Sequence, residues 1–139
     1  MHEAFNNWGS ALSGLAEQKQ DESLYRESFG KYEAALKIKP GIYSALNGWS
    51  AAIAGLWHLK KDDQLLPEVV ELARRAEAIE GKPNYNLACA LALKGEEAEC
   101  ESQLRRCKDA GTLPGSEHLK ADVDLAAYRD RDWFKVLST

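Results

Sequence analysis

Histidine, cysteine and clustered carboxylates are where chemistry would have to start, and this sequence spaces them in ways that offer little of it. His2, His58 and His118 lie far apart and form neither an HExxH pair nor any other ligand spacing. Cys89, Cys100 and Cys107 are odd in number and include no CxxC pair, so neither a disulfide framework nor a redox couple is indicated. Cys89 sits in an Ala/Leu-rich stretch, and Cys100 and Cys107, seven apart, share one helix face; all three read as thiols buried in helix packing. A catalytic Cys–His pair would need an electropositive surrounding that nothing near Cys89 supplies. Gly9, Gly14, Gly48 and Gly55 fall inside helical patterns, where they read as small-residue packing positions and not as a phosphate loop. No catalytic residue, cofactor site or metal site is assigned, and the expectation is that the chain is not an enzyme.

Charge removes further classes. The net charge is −4, and the Lys60-Lys61, Arg74-Arg75 and Arg105-Arg106 pairs are each diluted by nearby acids, against the basic face that nucleic acid would require. The hydrophobic share of 45% with 29% charged residues argues for a folded chain and against global disorder. Every apolar run is interrupted well before the roughly 18 residues that span a bilayer, and the start of the chain lacks a signal peptide's basic head and apolar centre. A soluble, cytoplasmic protein without nucleic-acid or membrane partners is the expectation.

What must position any site is a repeat. The segment from Ala4, AFNNWGSALSGLAEQK, aligns without gaps with that from Ala45, ALNGWSAAIAGLWHLK, at a shift of 41 residues from Trp8 to Trp49. Asn6 meets Asn47, Ala11 meets Ala52, and Gly14-Leu15 meets Gly55-Leu56. The register continues through Asp21 and Asp62, Leu24 and Leu65, Ala35 and Ala76, and Ile38 and Ile79. A third, diverged copy begins near Tyr85, with Leu87 in the place of Trp8 and an interval from Trp49 of 38 residues.

Each copy reads as two helices. Phe5, Trp8, Leu12 and Leu15 recur at three- and four-residue steps, which makes an apolar stripe. A polar turn over residues 18–22 interrupts it, and Ser23 is the expected N-cap of a second helix that Pro40-Gly41 stops. In copy two, Asp62 or Asp63 opens the partner helix, Pro67 is tolerable in its first turn, and Gly81 closes it. In copy three, Gly95 makes the turn and Gly111 the end. Ala11, Gly14, Ala35, Ala52, Gly55 and Ala76 are small enough for helix axes to approach. The expected fold is all-α: an α-solenoid of about three helix pairs, right-handed and closed by a C-terminal capping segment on the resemblance given below. Its repeats span residues 3–41, 44–82 and 83–111 within 1–115, and the cap spans 116–139. Trp8 and Trp49 are expected in the core, while Trp57 either fills space beside the turn or is partly exposed.

The pattern resembles the tetratricopeptide (TPR) family. Phe5, Trp8, Gly9 and Leu12 match its helix A, as do Leu46, Trp49, Ser50 and Ile53, and then Leu87, Ala88 and Leu91. Ser28, Tyr32, Ala35 and Pro40 match helix B, with Cys100, Leu104 and Cys107 in the corresponding places of copy three. The first interval of 41 exceeds the family's usual period of about 34, the surplus falling in the turn between the helices, which resembles bacterial-type arrays with long intra-repeat turns. In the tail, Asp122, Asp124, Leu125, Arg129, Phe134 and Leu137 resemble a segment that ends such arrays, with Trp133 and Phe134 covering the last stacking face.

The resemblance implies a protein-interaction module or scaffold that holds a peptide or helix of another protein in a concave groove. Its groove positions would be Asn6, Ser10 and Ser13, then Asn47 and Ala51 with Ala54, then Tyr85 and Cys89. Asn6 and Asn47 either hydrogen-bond a bound backbone or are solvated polar residues. A carboxylate clamp of the kind some family members use would fall on Asn6, Ser10, Gly48, Lys82 and Asn86, where only Lys82 is positive. Two alternatives stand beside this: a structural segment of a longer array acting through stacking or self-association by its N-terminal repeat face, and, more remotely, an enzyme or an RNA-binding helical repeat.

Overall fold

The computed structural model describes residues 1–139 and contains helices and turns with no strand. In chain order the helices are α1 (His2–Lys19), α2 (Glu22–Ile38), α3 (Tyr43–Lys60), α4 (Leu66–Glu80), α5 (Tyr85–Leu93), α6 (Glu97–Ala110), α7 (Ser116–Ala121) and α8 (Asp132–Leu137). Two 3-10 segments join them, Asp63–Leu65 before α4 and Val123–Tyr128 before α8. The chain divides into two compact units, Met1–Glu80 and Gly81–Thr139. α5 to α8 fall in the second unit.

In the first unit the 41-residue register also appears in the backbone. Gln20 and Lys61, 41 residues apart, both end their helix in the left-handed region, at φ 54° and 56°. Asp21 and Asp62, one residue on, each cap the next helical segment: Asp21 accepts from the Leu24 N–H at 3.2 Å and Asp62 from the Gln64 N–H at 3.1 Å. The cap of α2 is thus Asp21 and not Ser23. The helix begins at Glu22, and Asp21 has the extended backbone that aims its carboxylate at the first turn. Asp62 opens a 3-10 turn that runs into α4, with Pro67 in the first turn of the helix where its missing N–H costs nothing.

α1 packs on α2, α2 on α3 and α3 on α4, and α1 also touches α3. The tyrosines of α2 are the packing centre. Tyr32 lies between Gly9 of α1 and Gly48 of α3, and Tyr25 lies on Gly55; a Cβ at Gly48 would stand 2.9 Å from Tyr32 and one at Gly55 2.8 Å from Tyr25. These glycines are therefore close-approach positions. Gly14 is not, since nothing lies within 4 Å of a Cβ there, and Ala11 is exposed as well.

Trp8 and Trp49 depart from expectation. Trp8 is 51% exposed: it lies parallel to Phe5 with centroids 6.4 Å apart, and the Lys31 ammonium sits 3.7 Å over its ring. Lys31 is the register equivalent of Leu72, which lines the open cleft beside Trp49. Trp49 is half-buried and its buried indole Nε1 has no hydrogen-bond partner. Helix periodicity shows which residues share a stripe, but an apolar stripe wider than its neighbours leaves its edge in water. Trp57 is half-buried beside the turn, donating to Asp63 at 2.9 Å with Lys61 over its ring.

In the second unit α5 packs on α6 and on the Val123–Tyr128 segment, and α8 packs on α6. Asn84 caps α5, accepting from the Asn86 N–H at 2.7 Å. Gly95 and Gly111 take φ of 80° and 78°, the conformation that the two turns require and that glycine adopts without strain. Cys100, Leu104 and Cys107 of α6 are buried, as are Leu119, Leu125, Phe134 and Leu137 of the tail. Trp133 is half-buried and donates to Glu97, and Ser116 donates to the Ser138 carbonyl. No helix is long and apolar enough to cross a membrane.

Candidate functional site

Two groups of polar side chains stand out, one in each unit. In the first unit, α1 and α3 form a seam that holds five of the residues singled out in the sequence. Ser10 and Ala51 are exposed, while Asn6, Ser13 and Asn47 are half-buried. The seam is ordered by its own hydrogen bonds. Asn6 Nδ2 donates to Ser44 Oγ at 2.8 Å and so ties α1 to α3. Ser10 is hydrogen-bonded to Tyr32, whose hydroxyl is held in its neutral form by burial. Asn6 thus pins two helices together through its amide N–H. Chemically such a seam can donate to and accept from a peptide backbone, but it holds no charged nucleophile or base.

Tyr85 and Cys89, the groove candidates of the third copy, lie in the second unit and converge on Asp122. The Tyr85 hydroxyl donates to Asp122 Oδ2 at 2.6 Å, and the Cys89 thiol lies 3.6 Å from the same oxygen. Asp122 Oδ1 accepts from the Asp124 N–H at 3.0 Å, which caps the 3-10 segment. The Asp122 carbonyl accepts from Arg129 at 2.9 Å, and His118 Nε2 approaches Oδ2 at 3.6 Å. His118 also meets the Tyr85 ring edge-on at 5.6 Å.

The electrostatics of this cluster favour anchoring over reactivity. Burial and the neighbouring Asp122 and Asp124 carboxylates push the Cys89 thiol up, so it stays protonated and is a poor nucleophile. Burial, with Cys89 and Asp122 close by, pushes the Tyr85 phenol up likewise, keeping it a hydrogen-bond donor. Ligand atoms of Cys89, Asp122 and Asp124 fall within 4.8 Å of one another, a sulfur and two oxygens that a borderline cation could accept. Both Asp122 oxygens, however, already serve Tyr85, Cys89 and the Asp124 N–H, and that accounts for the arrangement without an ion.

Asp122 was legible only as part of a terminal pattern. Its contacts lie 33 and 37 residues upstream, and the one local sign was the Asp-x-Asp spacing, which suits a capping carboxylate. Comparison with protein-family models, curated proteins and solved structures gives no match to this chain.

Proposed function

We propose that the chain is a TPR-like helical-repeat module that acts by binding another protein, taking an extended or helical segment of it along the seam between α1 and α3. The helix pairs would form a right-handed solenoid, as the resemblance to that family implies. One observation carries the reading. Two helix A copies lie side by side and present equivalent residues in equivalent exposure: Asn6 with Asn47, Ser13 with Ala54, and Ser10 with Ala51. Such a surface offers the amides of Asn6 and Asn47 and the hydroxyls of Ser10 and Ser13 to a backbone, and a binding surface requires partly exposed, pre-positioned groups of this sort.

The test is capture of partners from the native lysate by the intact protein and by Ser10→Arg/Ala51→Arg. Both positions are exposed, so the substitutions fill the seam; Ser10→Arg also gives up the hydrogen bond to Tyr32, which the melting temperature monitors. A partner held by the parent and lost by the double variant, with the melting temperature kept, is the expected result. The same partners retained by both would move the function elsewhere.

A further inference from the structure

Across the 41-residue shift α1 is less covered than α3 along its apolar side and alike on the other. Gly9 and Ser50 are both buried, Asn6 and Asn47 both half-buried, and Ser10 and Ala51 both exposed. The agreement fails along the apolar side, where Phe5, Trp8 and Leu12 are each more exposed than Leu46, Trp49 and Ile53, and it fails most on the face beside them. Ala45, Ala52 and Leu56 are buried and Gly48 and Gly55 half-buried, yet Ala4, Ala11, Leu15, Asn7 and Gly14 are all exposed. The covering element on α3 is α2: Tyr25 seats on Gly55, Tyr32 on Gly48, and Glu22 Oε1 reaches Lys60 Nζ at 3.1 Å. On α1 the equivalents of Gly55 and Lys60 are unchanged as Gly14 and Lys19, and Gly48 has become Asn7.

We propose that this face of α1 docks an amphipathic helix of another protein chain, seated as α2 is seated on α3. The retained positions specify the occupant. Its first turn carries a carboxylate that meets Lys19, and three residues on it carries an aromatic ring that lies on Gly14. Seven residues further it carries a small side chain, because Asn7 fills the room that Gly48 leaves for Tyr32. The second copy of this chain is the poorer occupant. Its own α2 is locked between α1 and α3, with Tyr25 and Tyr32 each 3% exposed. A symmetric α1–α1 contact, for its part, would bury two Asn7 amides in an apolar stripe. The face is distinct from the polar seam, so the two readings succeed or fail separately.

The probe is a fluorescein-labelled synthetic peptide of residues 21–39 carrying Tyr32→Ala, titrated with the intact protein and read by anisotropy. Saturable binding is expected, weakened about tenfold or more by Gly14→Leu in the protein, the loss typical of blocking a packed aromatic anchor. Gly14 has open space around it, so this variant keeps its fold, checked by circular dichroism. Restoring Tyr32 in the peptide should weaken binding, and Lys19→Glu should weaken it until Glu22→Lys in the peptide restores it. Absence of saturable binding, or binding indifferent to Gly14→Leu, overturns the proposal. A dimer in sedimentation velocity that Gly14→Leu abolishes assigns the face to a second copy and overturns it too. Peptide binding lost in Asn6→Ala/Asn47→Ala and kept in Gly14→Leu would place the peptide on the seam, with the same consequence.

Discussion

At the scale of single residues, this protein uses its reactive side chains as packing and anchoring groups. Cys89, Cys100 and Cys107 are all free and buried, and burial next to Glu97 and Glu101 pushes the Cys100 thiol up to about 12. Because the thiolate is the reacting form, a protonated and inaccessible thiol reacts only when the structure opens. The native protein should therefore show almost no colour with a disulfide reagent over minutes, and three equivalents after addition of guanidinium. Prompt labelling of one thiol in the native state would contradict the burial. The buried thiols could be read from the sequence because cysteine on an apolar helix stripe behaves as a small hydrophobe. The link from Cys89 and Tyr85 to Asp122 could not, because it joins positions more than thirty residues apart.

At the scale of elements, one substitution at two equivalent positions separates local propensity from packing. Gly14 and Gly55 share a place in the repeat, and only Gly55 has an aromatic ring against it. Gly14→Ala adds helix propensity in open space and should stabilise by ~0.5–1 kcal/mol. Gly55→Ala drives a Cβ into buried Tyr25 and should cost about 1–3 kcal/mol. Urea midpoints that shift in opposite directions are the expected outcome; equal shifts would show that α2 does not seat on α3 through its tyrosines. The helices themselves were legible because stripes, turns and glycine stops are local. Which side of each stripe meets a neighbour was not local, and the exposed Trp8 is the clearest instance.

At the scale of the whole molecule, exposed ion pairs connect elements in both units and give stability an acid limb. Hydrogen bonds from Trp133 and then Arg131 hold the Glu97 carboxyl below its ordinary value of 4.5, and Arg26 and then Lys60 do the same for Glu22. A carboxyl depressed in the folded state adds stability that is complete above its unfolded value and lost as pH falls through the folded one. Unfolding midpoints should therefore decline as pH drops below about 4.5, the ordinary value of the two carboxyls. Glu97→Gln should flatten that decline while leaving part of it to Glu22. A variant that follows the parent curve throughout would remove Glu97 from the account.

The sequence by itself determined the helical class, the 41-residue register between its first two segments, the turn positions and the stops at Pro40, Gly81, Gly95 and Gly111. Each of these depends on spacing within one helix or on a residue's own backbone preference. Even the paired left-handed ends at Gln20 and Lys61 come from the same register repeated. Tertiary structure alone decided that Asp122 gathers Tyr85, Cys89 and His118, that Asn6 bridges to Ser44, and that two equivalent helix faces differ in exposure. The reason is physical: a residue's type and neighbours set what it can bury or bond, but burial is conferred by whatever packs against it. Ala11 and Ala52 are the same residue at the same place in the repeat, and only Ala52 is buried.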